Sequence, residues 1–505
     1  MKILFIYPNI GSQIGFNYGI AHMSAVLKGR GHEVKLIQLC EEIAPVPDEE
    51  EFTKMIKDFS PDVIGFSVVT NQFSYACKFA KIARATVNAV ITCGGVHATV
   101  APEETVKTDL FDYVFVGECD EVFCDFVDYL ERGGDLRQIS NIIWLENGRI
   151  KRNPVRPLPF LDKLPMKDYS IFDFQKLIDA KNGWVGLMAS RGCPFSCTYC
   201  FNHKMVKNYR SDLKCSFKEL NYIRHVPIGA LIDEIKYLLK NYKRIKMFLF
   251  DDDLFTFDKD YIQEFCKEYK KISEIPFVVN AHVGFFDEDR AKALAEANCA
   301  IVKFGLESGS QKIRTKVMNR HMSNESIKRA ISIVNNYGMH SSVFVMIGLP
   351  FETQDDLMQT VNLLATALPG RFRWTYFFPY PGTESYDIAM KSGYVNEEKM
   401  YKLVNFTDDT CLEFGEEQGL FLKKLGVLMP WFVNAYSNLE CASFYKKKVD
   451  EILSLSYQDW EKVKETMRDE DRKISEIMQK NNLSHYAIKY NRFMGVISDY
   501  FLKSI

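Results

Sequence analysis

Ser190-Arg-Gly-Cys193-Pro-Phe-Ser-Cys197-Thr-Tyr-Cys200 follows a short apolar run, Trp184-Val-Gly-Leu187, and carries three cysteines within eight residues. Gaps of three and two residues put three thiols on one tight loop, close enough to bind three irons of a cubane. A [4Fe–4S] cluster ordinarily takes four cysteines. No fourth lies nearby, so one iron would stay open to an outside ligand. Zinc is the competing occupant, since a structural zinc site takes four ligands and His203 stands three residues past Cys200. The third reading, three buried structural thiols, fits poorly with Gly192 and Pro194 on the same turn.

Working outward, strand patterns fall near 185–190, 245–250, 276–281, 300–305, 342–347 and 373–378. Helical patterns such as Ile228–Asn241 and Asn324–Tyr337 alternate with them. Six βα units favour a partial or full (β/α)6 barrel over an open sheet. Upstream, the first 145 residues alternate strand and helix every 25–30 residues, as in Lys2–Tyr7, Ile20–Gly29, Val34–Leu39, Glu50–Phe59 and Val63–Val69. That rhythm predicts an α/β, doubly wound (Rossmann-like) parallel sheet. Between the two series, Asn153–Pro165 holds four prolines and reads as an extended connector. After about 390 only helix patterns remain. The expected segments are 1–150, a proline-rich linker 151–183, a barrel 184–385 and an all-helical region 386–505.

The chain has 505 residues, 47% hydrophobic and 26% charged, with a net charge of −2. This composition supports large cores, and the charge balance removes the general argument for nucleic acid as a partner. No uncharged apolar run approaches the roughly 18 residues of a membrane span. Met1–Pro8 is too short for a signal-peptide core and reads as a first buried strand. The thirteen cysteines are therefore expected as thiols or metal ligands in a cytoplasmic protein.

At the three cysteines the sequence resembles the radical S-adenosylmethionine (SAM) superfamily, whose signature is Cys-x3-Cys-x2-Cys with an aromatic, here Tyr199, before the last cysteine. The resemblance implies that Cys193, Cys197 and Cys200 hold the cluster and that the open iron chelates SAM. Later segments match in order and extend the match over about 184–385. Phe248-Leu-Phe-Asp-Asp-Asp253 resembles the second-strand motif, which implies that Asp252 or Asp253 takes the methionine ammonium. Phe304-Gly-Leu-Glu307-Ser308-Gly-Ser310 resembles the ribose-facing fourth-strand motif. Met346-Ile-Gly348-Leu-Pro350-Phe-Glu-Thr353 resembles the fifth-strand motif along the adenine. Singly, each also reads as ordinary capping or turn chemistry.

The first segment resembles the cobalamin-binding domain found ahead of the barrel in one radical SAM subgroup. Gly94, Gly95 and His97, then Gly117 and Glu118, then Ser67 and Thr70, all close strands, where open α/β sheets bind ligands. The resemblance implies cobalamin there, with glycines admitting a large flat ligand. Asp-x-His-x-x-Gly is absent, which puts a lower axial histidine in doubt, and His97 reads more readily as a hydrogen-bonding loop residue than as a cobalt ligand. G-x-G-x-x-G is missing from the first turn, against a dinucleotide site. Cys40, Cys77, Cys93, Cys119 and Cys124 lack the compact spacing of a second cluster, against a methylthiotransferase.

The implied function is methylation of an unactivated carbon or phosphorus of a small-molecule or natural-product substrate, using methylcobalamin and a 5′-deoxyadenosyl radical. A low-potential donor such as flavodoxin or ferredoxin would supply electrons. The alternatives are a cyclase, oxidase or rearrangement enzyme with the same cofactors, or a non-enzymatic sensor. Trp374, Tyr376, Phe378 and Tyr380 line the substrate space or simply pack a strand, and Cys411 and Cys441 read as buried spectators.

Overall fold

The computed structural model describes residues 1–403, 409–491 and 496–502. It divides into two compact units: 1–195 with 200–246 and 380–383, and 196–199 with 247–379 and 384 onward.

The first unit is built on a seven-stranded sheet. Its strands are β1 (Lys2–Pro8), β2 (Glu33–Leu39), β3 (Val63–Ser67), β4 (Val90–Gly94), β5 (Tyr113–Phe115), β6 (Ile142–Glu146) and β7 (Arg149–Arg152). Their order is β2-β1-β3-β4-β5-β6-β7, the first five parallel and the last two antiparallel. Helices cover the sheet, so Ile3, Leu4, Phe5 and Ile6 of β1 are all buried, as a parallel strand requires. The helix Glu49–Phe59 shows the local logic: Asp48 and Glu51 form a capping box, and Phe52, Ile56 and Phe59 supply the buried stripe. The sheet reverses direction between β1 and β3, the switch point at which such sheets bind ligands.

The β6–β7 hairpin lies outside the predicted alternation. Asn147 and Gly148, both at positive φ, make its two-residue turn, for which Asn-Gly is the favoured sequence. The proline-rich stretch runs extended but anchored. Asn141 donates its amide to the Pro154 carbonyl, and the Arg156 amide donates to Asn141 Oδ1. The unit continues through β8 (Trp184–Leu187), β9 (Ser190–Arg191), the helix Phe201–Leu213 and β10 (Arg224–His225), which pairs with β9.

The second unit carries five parallel strands in sequence order: β11 (Met247–Phe250), β12 (Phe277–Ala281), β13 (Cys299–Glu307), β14 (His340–Ile347) and β15 (Arg371–Tyr376). With β8, all six strands predicted between 184 and 385 form. The free edge of β15 pairs with a C-terminal hairpin, β16 (His485–Asn491) and β17 (Val496–Leu502), so among the described residues the series is a partial barrel. The region past 386 is mainly helical, from Glu384–Lys391 to Met467–Lys480, and this hairpin departs from the expected all-helical pattern.

The helix Glu416–Ala435 is kinked at Leu428 by Pro430. Proline has no amide to give the carbonyl four residues back. That carbonyl, of Gly426, instead accepts the Trp374 indole N–H at 2.7 Å. Trp374 and Tyr376 are therefore core residues of the second unit (2% and 3% exposed). Cys411 and Cys441 are buried as expected. No described helix is long and apolar enough to cross a membrane.

Candidate functional site

The cysteine loop leaves β9 and ends at Cys200, the N-cap residue of the 13-residue helix Phe201–Leu213. A helix N-terminus carries partial positive charge, which favours a thiolate there. Cys197 is buried, whereas Cys193 and Cys200 are partly exposed. Thr198 fixes the middle of the loop, its amide donating to the Met318 carbonyl at 3.2 Å and its hydroxyl to the Val317 carbonyl at 2.7 Å. The helix dipole behind Cys200 suits a thiolate that holds an anionic iron–sulfur cluster.

In the second unit the aromatic before the last cysteine reaches the fourth-strand motif: Tyr199 donates its hydroxyl to Glu307 Oε1 at 3.1 Å. Glu307 ends β13 at φ +67, where the register with β14 slips between Gly305 and Glu307. A left-handed glutamate is a strained residue of the kind that clusters at ligand sites. Burial raises its pKa, opposed by the Arg320 guanidinium and the Tyr199 hydroxyl. Sequence reasoning missed Arg320. Its Nη1 donates to Cys197 Sγ at 3.5 Å and to the Tyr199 hydroxyl at 3.1 Å, and its Nη2 donates to the Gly305 carbonyl at 2.7 Å.

Ser308 is fully buried, its hydroxyl 3.5 Å from both Glu352 Oε1 and Thr360 Oγ1. Gly348 has φ +75, and its amide donates to Glu352 Oε2 at 2.7 Å, beside Leu349 at 3.1 Å. Glu352 thus organises the turn holding Gly348 and Pro350. Burial pushes its pKa up to about 8, against those amide donors. In the acidic run, Asp252 is fully buried while Asp251 and Asp253 are exposed. Asn280 holds the Asp252 carbonyl at 2.8 Å.

In the first unit, the residues predicted from the strand ends gather at one end of the sheet. Ser67 Oγ accepts from Asn17, the N-cap of helix Tyr18–Gly29. Thr70 Oγ1 is 3.3 Å from His97 Nδ1. His97 stacks on Phe73 with centroids 4.0 Å apart, and its buried Nε2 has no partner among the described residues. Burial lowers its pKa to about 4, so the ring is neutral. A buried orphan nitrogen beside the switch point is a fitting contact for a bound group.

Two of the strand-end glycines have no room for a side chain. A Cβ on Gly95 would lie 2.7 Å from the Val68 backbone, and one on Gly117 2.4 Å from the Tyr209 hydroxyl. The Glu118 carboxylate is likewise engaged internally, by Arg191 at 2.7 Å and by Arg224. Arg191 also grips Asp120 through two bonds, at 2.7 and 2.9 Å.

A model of the radical SAM superfamily matches residues 187–364, and one of the B12 binding domain matches residues 12–127. An uncharacterized methyltransferase of Pyrococcus horikoshii is 28% identical over 431 residues, covering 81% of this chain and 89% of its own. An anaerobic magnesium-protoporphyrin IX monomethyl ester cyclase of Rubrivivax gelatinosus is 24% identical over 400 residues, 75% of this chain and 68% of that protein. Among solved structures, the radical SAM methyltransferase TsrM of Kitasatospora setae, with cobalamin and a [4Fe–4S] cluster bound, has a similar fold. Its TM-score is 0.63 at 17% identity, over 78% of this chain and 75% of that one. With both family models matched in the order that the sequence motifs predict, this chain belongs to the cobalamin-dependent radical SAM enzymes, and its cofactors are a [4Fe–4S] cluster, SAM and cobalamin.

Proposed function

We propose that the enzyme is a methyltransferase acting on an unactivated carbon or phosphorus of a small-molecule substrate. The observation that carries this reading is the pairing, in one chain, of a B12-binding sheet with a radical SAM domain, supported by similarity to a protein named as a methyltransferase. When bound, the cluster would supply the electron for SAM cleavage and the cobalamin would carry the methyl group. Cys193, Cys197 and Cys200 are the proposed cluster ligands. Asp252 or Asp253 is the proposed contact of the methionine ammonium, with Glu307 and Ser308 on the ribose side and Gly348 and Pro350 along the adenine. Cobalamin is proposed at the ends of β3, β4 and β5, near Ser67, Thr70, Gly94 and His97. A flavodoxin- or ferredoxin-like protein is the proposed electron donor.

The similarity to a cyclase supports a second reading, a ring-forming or oxidative reaction with the same cofactors. Product stoichiometry separates the two. Methyl transfer uses SAM twice, so turnover should give S-adenosylhomocysteine and 5′-deoxyadenosine in about equal amounts, with the substrate gaining one methylene. 5′-Deoxyadenosine alone, with no such mass gain, would replace methylation by the second reading.

A further inference from the structure

The four consecutive residues Val317–Arg320 each bond to the segment Ser196–Thr198. The Val317 and Met318 carbonyls take the hydroxyl and amide of Thr198. Asn319, at φ +52, donates its side-chain amide to Ser196, to the carbonyl at 2.9 Å and the hydroxyl at 3.0 Å. Arg320 then presents Nη1 to Cys197 Sγ. A planar guanidinium can bond in several directions at once, and this one is fixed on its far side by the Gly305 carbonyl and by its own amide on Arg314 at 2.7 Å. Its orientation toward the sulfur is therefore built in by neighbours on three segments.

Besides Cys197, the ionisable groups that act on Arg320 or respond to it are Glu307, Tyr199, Arg314 and His282. Glu307 acts on it by charge, and the Tyr199 hydroxyl bridges the two. His282 is held neutral by burial and by Arg320, its pKa lowered to about 3. Arg314 is a buried guanidinium whose Nη atoms donate to the Ser308 and Met322 carbonyls and to Asn324. A partly buried guanidinium, Arg320, and a buried one, Arg314, thus stand near the only buried cysteine of the three.

We propose that Arg320 is a positioning and tuning residue for the iron–sulfur cluster. Its charged hydrogen bond to Cys197 Sγ stabilises the one-electron-reduced state and raises the cluster's reduction potential. This rests on Cys193, Cys197 and Cys200 being the ligands. One-electron reduction adds a negative charge that spreads onto the sulfurs, and donors to those sulfurs set potential. Losing a charge-assisted bond at the sulfur should lower the ratio of reduced to oxidised cluster about 10-fold or more at a fixed applied potential.

The test uses anaerobically reconstituted full-length enzyme, reduced in a mediated redox titration and read by electron paramagnetic resonance. Arg320→Gln should keep its iron and show a lower midpoint potential, and Arg320→Lys should fall between it and the wild type. An unchanged midpoint in iron-replete Arg320→Gln overturns the inference. As a measurement independent of folding in the variants, wild-type enzyme with 15N-labelled arginine should show 15N coupling to the reduced cluster. Absence of that coupling, or its survival in Arg320→Gln, also overturns it. Failure of the ligand reading looks different: the cluster would then persist in the triple variant Cys193→Ala, Cys197→Ala, Cys200→Ala, and the inference would fall with it.

Discussion

The Glu118 carboxylate lies 2.7 Å from Arg191 Nη1, two residues ahead of the first cysteine of the loop. With Asp120 and Arg224 it forms a largely buried ionic quartet joining the turn after β5 to β9 and β10. Removing one partner of such a group strands a buried charge, at a cost of about 3–5 kcal/mol. Glu118→Gln should therefore lower the urea midpoint markedly. A wild-type midpoint would show that the quartet adds no net stability.

Asp120 gives the same quartet an acid limb. Burial alone would raise its pKa, but Arg191 holds it down at about 2. A depressed carboxylate stabilises the fold above its ordinary value of 3.8 and loses that contribution as pH falls toward 2. Asp120→Asn should flatten the stability curve of the enzyme in this window, read by fluorescence-monitored unfolding.

Glu352 should act in the opposite sense. Its pKa of about 8 lies above the ordinary glutamate value of 4.5, so the native state keeps a proton that the unfolded chain releases. Stability should fall as pH climbs from 4.5 to 8, with a slope of at most about 1.4 kcal/mol per pH unit. Glu352→Gln should remove that slope. Parallel curves for the two proteins across this range would mean that Glu352 is ionised in the fold.

His97 is expected to stay neutral in the native protein until pH falls to about 4. The unfolded histidine takes its proton near 6.5, so the stability its neutrality confers is lost as pH drops from 6.5 to 4. His97→Gln should be less acid-sensitive over that interval. In cobalamin-loaded enzyme, the Co(II) spectrum should show no nitrogen splitting from a protein ligand. A triplet that vanishes in His97→Gln would make His97 the lower ligand.

The parts of the fold legible in sequence were those with local periodicity. Val63–Ser67 and Met247–Phe250 are short apolar runs that parallel sheets bury on both faces, and each forms where predicted. The β6–β7 hairpin, turned at Asn147-Gly148, breaks the βα rhythm and lay outside the prediction. The β16–β17 hairpin pairs with a strand more than 100 residues earlier, a long-range partnership that no local window contains. The site divides in the same way. Cys193, Cys197 and Cys200 are visible from spacing alone, whereas Arg320 carries no pattern and matters only through what folding sets beside it. Glu118 was visible as a strand-end acid, but its guanidinium partners lie 73 and 106 residues away.

Pro430 has a consequence for engineering. A helical proline is an obvious target for replacement, since alanine there is intrinsically better by about 3 kcal/mol. Here the vacated Gly426 carbonyl is the acceptor of the Trp374 indole. A new amide at 430 would compete for the same lone pairs and draw the straightened helix away from a ring that is 2% exposed. Pro430→Ala should therefore recover far less than the propensity scale promises, and Trp374→Phe, which withdraws the competing donor, should restore much of the difference.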